Sequence, residues 1–303
     1  MLARRGHSVF CILEHRVHMC VRTIDGSVRA RLGCPMMESL ETPTGSGDPA
    51  TPPLLAARDI VKSYGGVHAV AGVSLEFPAG TVTAIVGDNG AGKSTLIKIL
   101  AGALQPDEGR IEIDGEPVSF ATPAQARAAG IETVYQDLAL ADHRDVAENL
   151  FMGRELTRGW GPFRVTDIGS MRRQSAAALE DLNVKVPSVR QQVRRLSGGQ
   201  RQGVAIGRAV HWGSRVLIMD EPMAALGLQE AGRVQELVLR LSARGLTQII
   251  VSHNLDHVFT LSTRIAVMRL GGLVGVWPTR ETDHEEVVRM VAGLPGRPVS
   301  PVG

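Results

Sequence analysis

The run from Gly87 to Thr95, GDNGAGKST, restricts the fold of this chain more than any other stretch. Thr81 to Val86 (TVTAIV) is an apolar run of strand character leading into it, and Leu96 to Leu100 (LIKIL) continues it with helical character. A GxxxxGK[ST] pattern set between a strand and a helix is a phosphate-binding loop. Backbone N–H groups from Asn89 to Lys93 point into one concavity, and the helix N-terminus adds partial positive charge. The candidate nucleotide-binding residues are therefore Gly87, Asn89, Gly90, Ala91, Gly92, Lys93, Ser94 and Thr95. Lys93 reaches the β- and γ-phosphates in such a loop, and Ser94 offers its hydroxyl to Mg²⁺.

From Leu54 onward, short apolar runs recur between turn residues. Val73 to Phe77, Val82 to Val86, Ile111 to Ile113, Ile131 to Tyr135, Val216 to Met219, Ile249 to Val251 and Ile265 to Met268 read as strands. Helical stretches fall between several of them. The clearest has Thr122 as N-cap, Pro123 in the first position and Gly130 as the left-handed stop. Strands alternating with helices predict an α/β sheet with parallel character. Between Asp137 and Arg195 the strand runs fade, and Ser170 to Leu182 has helical spacing, so this part reads as a mostly helical insertion.

Two further strand ends carry polar groups suited to the same chemistry. Arg215 to Pro222 (RVLIMDEP) is an apolar strand that ends in adjacent carboxylates, which calls for something positive beside them. Asp220 is the candidate to hold Mg²⁺ through water, and Glu221 the candidate general base toward attacking water. His253 follows Ile249 to Val251, where an imidazole either donates to the γ-phosphate or orients the water. Gln136 follows Ile131 to Tyr135 with a neutral amide able to touch Mg²⁺ or the water. Tyr64, in VKSYGG, is a candidate to stack on adenine.

A second glycine turn stands at Leu196 to Gln202, LSGGQRQ, ahead of the helical spacing of Gln200 to Val210. Ser197, Gly198, Gly199 and Gln200 thus sit where a turn meets a helix N-terminus, again an anion site. No lysine and no metal-binding hydroxyl position follow it. It suits a cover over a γ-phosphate bound elsewhere, and the economical arrangement is a closed two-fold pair in which each chain covers the other's nucleotide.

Composition sets outer bounds. At 303 residues and 44% apolar content the chain can bury a substantial core. Its 33 basic and 31 acidic residues balance, so charge gives no reason to expect a nucleic-acid partner. Cys11, Cys20 and Cys34 are the only cysteines, which leaves no disulfide framework or zinc site for the main body. No apolar run near the start reaches the length of a signal core or a membrane span, and a soluble protein of a reducing compartment is expected. Residues 1–53 are arginine-rich and then rich in Pro, Thr and Gly. They read as a disordered extension, as translation assigned too far upstream of Met36 or Met37, or as a transit peptide.

The ordered set Tyr64, GDNGAGKST, Gln136, LSGGQRQ, LIMDEP, ALG and His253 resembles the nucleotide-binding subunit of ATP-binding cassette (ABC) transporters, over roughly Leu54 to Gly275. The family's A-loop, Walker A, Q-loop, signature, Walker B, D-loop and H-loop fall on those residues. The resemblance implies an α/β P-loop NTPase of RecA-like type, with a helical subdomain and an antiparallel β portion. It implies an ATP-binding core over 54–137 and 201–275, a helical signature subdomain over 138–200 and a C-terminal tail over 276–303. It also implies hydrolysis of ATP with Mg²⁺, in which Glu221 and His253 position water, and Lys93, Mg²⁺ and the signature loop neutralise charge on the γ-phosphoryl. Ser94, Gln136 and Asp220 are the implied metal residues. The implied partners are membrane permease subunits and a second cassette, placing the chain peripherally at the cytoplasmic face of the inner membrane.

GIETVYQDLALAD (130–142), VAENLFMGRE (146–155), EPMAALG (221–227) and SHNLDHVF (252–259) are similar to bacterial monosaccharide importers of the ribose, xylose and fructose type. That similarity adds a periplasmic or lipid-anchored sugar-binding protein to the expected partners. Two residues depart from the family pattern: Gly227 stands where most cassettes have Asp, and Met223 where Thr or Ser is usual. Alternatives are export or import of another solute, and a non-transport cassette protein acting on nucleic acid. The latter predicts paired cassettes, a coiled-coil insertion or a basic patch.

Overall fold

The computed structural model describes residues 52–160 and 163–294. The expected extension, Pro52 and Pro53 apart, lies outside the described residues.

The apolar alternation of the strands builds the frame. A six-stranded sheet runs in the order β12-β11-β3-β10-β9-β6. Its strands are β3 (Val82–Val86), β6 (Ile131–Val134), β9 (Val216–Asp220), β10 (Thr247–Val251), β11 (Arg264–Arg269) and β12 (Gly272–Pro278). All neighbours are parallel except β12, which pairs antiparallel with β11. Parallel strands covered on both faces read as continuous apolar runs, and successive residues go to opposite faces. Along β9, Val216 and Ile218 enter one apolar cluster while Leu217 and Met219 enter another. Along β10, Ile249 and Val251 join the first and Ile250 the second.

The first cluster is completed by a second sheet, of order β2-β1-β4-β5, with all of its pairs antiparallel. It comprises β1 (Leu55–Tyr64), β2 (Val67–Phe77), β4 (Glu108–Ile113) and β5 (Glu116–Val118). Leu96, Ile97, Ile99 and Leu100 of helix α1 (Lys93–Leu100) pack into the same cluster. Each such fully buried aliphatic side chain contributes about 1.5–3 kcal/mol. Helix α2 (Pro123–Ala128) has Thr122 at its N-cap and Pro123 in its first turn, without a side-chain bond from Thr122. Gly130, at φ 88°, turns the chain into β6.

The region expected to be mostly helical holds α3 (Val146–Leu150) and α4 (Ile168–Asp181), and a two-stranded hairpin of β7 (Thr157–Arg158) and β8 (Val165–Thr166). With α5 (Gly198–His211), which starts at the second glycine turn, it buries its own cluster of Val146, Leu150, Phe151, Met171, Leu179 and Val204. α5 runs across residue 200, the position expected to divide the helical segment from the core. Its other face joins α6 (Leu228–Ala243) and α7 (Leu255–Leu261) on the second cluster, through Ala205, Ile206, Val234, Leu237 and Leu261. The expected tail from residue 276 continues β12 and adds α8 (His284–Val291), whose Val287 and Met290 pack on Val86, Ile265 and Val267.

Candidate functional site at the carboxyl edge of the parallel sheet

Four adjacent strands, β3, β10, β9 and β6, deliver the candidate residues to one edge of the sheet in that order. The glycine loop leaves β3, His253 follows β10, Asp220 and Glu221 end β9, and Gln136 follows β6. Three strand spacings separate the first from the last, about 14 Å. Ligands in open α/β sheets bind at this edge.

The loop is built for close approach. Gly87 (φ 153°), Gly90 (φ 83°) and Gly92 (φ 96°) hold conformations that residues with a Cβ rarely adopt. A Cβ at Gly87 would overlap the Met268 carbonyl, and one at Gly92 the Ala69 carbonyl. Gly92 caps α1 with no side-chain acceptor, and the amides of Gly92, Lys93, Ser94 and Thr95 are matched to no acceptor among the described residues. Unmatched donors at a helix N-terminus fit phosphate oxygens. Lys93 is buried, and its Nζ donates to the carbonyls of Gly87 at 2.6 Å and Asp88 at 2.9 Å. Burial lowers its pKa, against the pull of Glu221, Asp88 and Asp220. Ser94 is exposed, Thr95 half-buried and Ala91 buried, while Asn89 is exposed to solvent.

Glu221 takes a left-handed backbone, φ 49°, immediately after the last residue of β9. For a residue with a Cβ this costs about 1 kcal/mol or more, and such strain gathers at functional sites. Its amide still donates to the Val251 carbonyl at 2.9 Å, tying it to β10. Its carboxylate Oε1 accepts from the His253 amide at 3.0 Å and lies 2.7 Å from His253 Nδ1. Burial and the neighbouring Glu221 raise the pKa of Asp220, with Lys93 and Lys98 opposing. A carboxylate held in this way favours a cation beside it. Asp220 and the Ser94 hydroxyl are thus suited to hold Mg²⁺, whereas no ready-made cluster of three or more His, Cys, Asp or Glu side chains exists among the described residues.

Gln136 is exposed two residues beyond β6. Tyr64 ends β1 in the other sheet, 53% exposed, at a hairpin whose second strand presses the Ala69 carbonyl onto Gly92. That contact brings the hairpin to the side of the phosphate loop.

The second glycine turn packs on the start of α6. Ser197 and Gln200 close a capping box: Ser197 Oγ accepts from the Gln200 amide at 3.4 Å, and Gln200 Oε1 accepts from the Ser197 amide at 3.0 Å. A Cβ at Gly198 would press on the Leu226 side chain and one at Gly199 on Cβ of Glu230, so a larger residue at either place requires the Leu226 side chain or α6 to shift. No hydrogen bond among the described residues joins 197–200 to 87–95. The turn nevertheless holds an anion, because the Ser197 hydroxyl and the Gly199 amide donate to the Glu230 carboxylate and keep its pKa below the usual range.

One of the two departures acquires a local explanation. Met223, 6% exposed, packs with Met219, Val134 and Ala205 in the second cluster, where an apolar side chain belongs. Gly227 is the N-cap of α6 at φ −66°, and a Cβ there would meet nothing within 4 Å, so its backbone does not require glycine. Sequence reasoning missed Glu230, Asn149 and Arg208. The last two grip the chain beyond Gln136, and neither type stands out in an arginine-rich sequence.

A family model described as ABC transporter matches residues 70–224. The fructose import ATP-binding protein FrcA of Rhizobium meliloti is 44% identical over 250 residues, covering 80% of this chain and 95% of that protein. The xylose/arabinose import ATP-binding protein XylG of Sulfolobus acidocaldarius is 41% identical, covering 80% and 94%. The chain spans only 46% of the ribose import ATP-binding protein RbsA 2 of Rubrobacter xylanophilus, at 43% identity. Among solved structures, a nucleotide-free ATP-binding cassette from an ABC transporter superposes with a TM-score of 0.66 at 31% identity, covering 80% of this chain and 96% of that one. The ADP conformation of another such cassette gives 0.65 at 30%, covering 79% and 94%. On these matches the chain belongs to the ABC transporter family and is its ATP-hydrolysing component, the ATP-binding cassette.

Proposed function

We propose that this cassette energises uptake of a monosaccharide through a separate membrane permease, working as one of a pair of cassettes at the cytoplasmic face of the inner membrane. A periplasmic or lipid-anchored sugar-binding protein supplies the cargo. The observation that carries the sugar assignment is the near full-length match to fructose and xylose/arabinose import ATP-binding proteins at 41–44% identity. No helix among the described residues is long and apolar enough to cross a membrane.

The site geometry supports the following division of labour. The unmatched amides at the start of α1 and Lys93 bind the β- and γ-phosphates, and the Lys93 ammonium exchanges its present carbonyl partners for phosphate oxygens. Ser94, Asp220 and Gln136 are the residues that would hold Mg²⁺, which when bound offsets the charge of the triphosphate. Glu221 accepts a proton from the attacking water, and His253 keeps its carboxylate aimed at the edge of the sheet. Tyr64 stacks on adenine.

The anion-binding chemistry of the second glycine turn supports a pairing of cassettes. Ser197 and Gly199 already bind a carboxylate, which supports their taking a γ-phosphate. Joined to the phosphate loop of the same chain by no hydrogen bond among the described residues, they serve the nucleotide of a second chain in a closed two-fold arrangement. Two ATP molecules then close the pair, hydrolysis reopens it, and the movement passes to the permease.

Uptake of labelled ribose, xylose, fructose and galactose in a strain lacking this gene, complemented with wild type or Glu221→Gln, tests the proposal. Loss of one sugar's uptake that only the active form restores is the expected result. Unchanged uptake of all four withdraws the sugar assignment.

A further inference from the structure

The peptide segment following Gln136 is held by the helices beyond it rather than by the strand before it. β6 ends at Val134, and beyond Gln136 the chain runs through Leu138, Ala139, Leu140 and Ala141 toward α3. Ala139 has φ 47°, a left-handed turn without a glycine to make it easy, so something outside the segment maintains it. Arg208 does so from α5. Its two terminal nitrogens donate to consecutive carbonyls, Nη1 to Ala139 at 2.8 Å and Nη2 to Leu138 at 3.0 Å. A planar fork fits two adjacent acceptors as no other cationic side chain does.

Asn149 of α3 grips the far end. Fully buried, it accepts from the Ala141 amide at 2.7 Å and donates to the Ala141 carbonyl at 3.1 Å and the Asp145 carbonyl at 3.0 Å. Between these two anchors Leu138 and Leu140, half-buried, pack against the second apolar cluster. Both gripping residues sit on helices that share the cluster of Val146, Leu150 and Val204, and α5 carries Ser197 to Gln200 at its start. Arg208 lies ten positions after Gly198, about 15 Å along the same rigid helix.

We propose that Arg208, with Asn149, is a clasp through which the position of the α5 helix sets the position of Gln136, making Arg208 a positioning residue for ATP hydrolysis. A shift of the second anion turn on engaging its phosphate displaces α5, and the clasp carries the loop, and Gln136 with it, toward or away from Asp220 and Lys93. The same path runs backward, so a push on α3 from outside reaches both anion turns together. The inference rests on the ATPase reading of the site and adds to it the link between its two halves.

Steady-state phosphate release and ATP affinity of the full chain test it, in wild type, Arg208→Ala, Arg208→Lys, Gln136→Ala and the Arg208→Ala/Gln136→Ala double variant. Melting curves with and without ATP confirm that each variant is folded, and Arg208→Lys, which keeps the charge but loses the fork, serves should the alanine variant not fold. Arg208→Ala is expected to lower kcat by about 10- to 100-fold, as a misplaced group does at a distance from the chemistry. ATP affinity should stay within about threefold, since uniform binding is untouched. In the Gln136→Ala background the further loss should shrink to under about twofold, because both changes remove one interaction. Arg208→Lys should fall between wild type and Arg208→Ala. Losses that multiply in the double variant, an unchanged kcat, or a fall in affinity equal to the fall in kcat each overturn the clasp. A wild-type chain without hydrolysis that Lys93→Ala abolishes overturns the ATPase reading instead.

Discussion

One histidine holds the Glu221 carboxylate twice: Oε1 accepts from the His253 amide at 3.0 Å and faces His253 Nδ1 at 2.7 Å. An ionised carboxylate only accepts, so the Nδ1 side carries the proton between them. The ring itself is 74% exposed at the sheet edge. His253→Ala keeps the amide contact and removes the ring. Turnover should fall by about 100-fold with ATP affinity retained, the range associated with losing a positioned acid–base partner. Phosphate release beside a binding titration checks both halves of that statement.

Asp220 gives a pH-dependent prediction. Burial and Glu221 raise its carboxyl above the ordinary value of about 3.9. A carboxyl raised by folding favours the folded state only while protonated: the contribution is fully present below the unfolded value and is lost as pH rises through the folded one. Near neutral pH the ionised group therefore works against folding. Asp220→Asn should melt at a higher temperature than wild type there, the gap closing as pH falls toward the ordinary carboxylate range. The same variant should lose the stabilisation that Mg-ATP gives wild type. Melting curves across pH, with and without Mg-ATP, separate the two effects.

Gly92 is a steric prediction. With φ 96° and the Ala69 carbonyl where a Cβ would go, Gly92→Ala forces either β2 or the loop to move. A stability loss of about 1–3 kcal/mol is expected, as for other forced overpacking. ATP binding should fall with it, because the displaced amides are those that face the phosphates. Denaturant unfolding and an ATP titration of the one variant give both numbers.

What was legible in the sequence follows from how local each feature is. The phosphate loop, the carboxylates after β9 and the glycine turn ahead of α5 are set by neighbours along the chain, and they sit where pattern and turn chemistry put them. The β1 strand was harder to see. LAARDIVKSY pairs with β2 through three register shifts and includes Asp59 at φ 51°, so the period of two is broken along it. β12, GLVGVWP, opens on glycine and ends on proline, both strand-breaking signals, yet it completes the sheet as an edge strand, the place where proline is tolerated. The Arg208 contacts and the seat of Glu230 on the Ser197 turn join residues far apart in the chain, and nothing in local composition marks them.

Gly227 tests whether the unusual residue ahead of α6 is a structural need. Its φ of −66° suits any residue, and no atom stands within 4 Å of the place a Cβ would take. Gly227→Asp should therefore be accommodated and should stabilise the chain by a few tenths of a kcal/mol, the usual difference between glycine and a good N-cap. A shift in the denaturation midpoint at constant slope is the check. Loss of stability would mean that the nearby Glu230 carboxylate repels the new one more than the helix gains.

Turnover by Glu221→Gln tests the central claim most directly. The substitution keeps the shape and an oxygen facing His253 while removing the group proposed to accept the proton. With purified chain, ATP affinity should match wild type and phosphate release should be slower by about 100-fold or more. Near-wild-type release by that variant would contradict the assignment of Glu221 as the base at the carboxyl edge of the sheet.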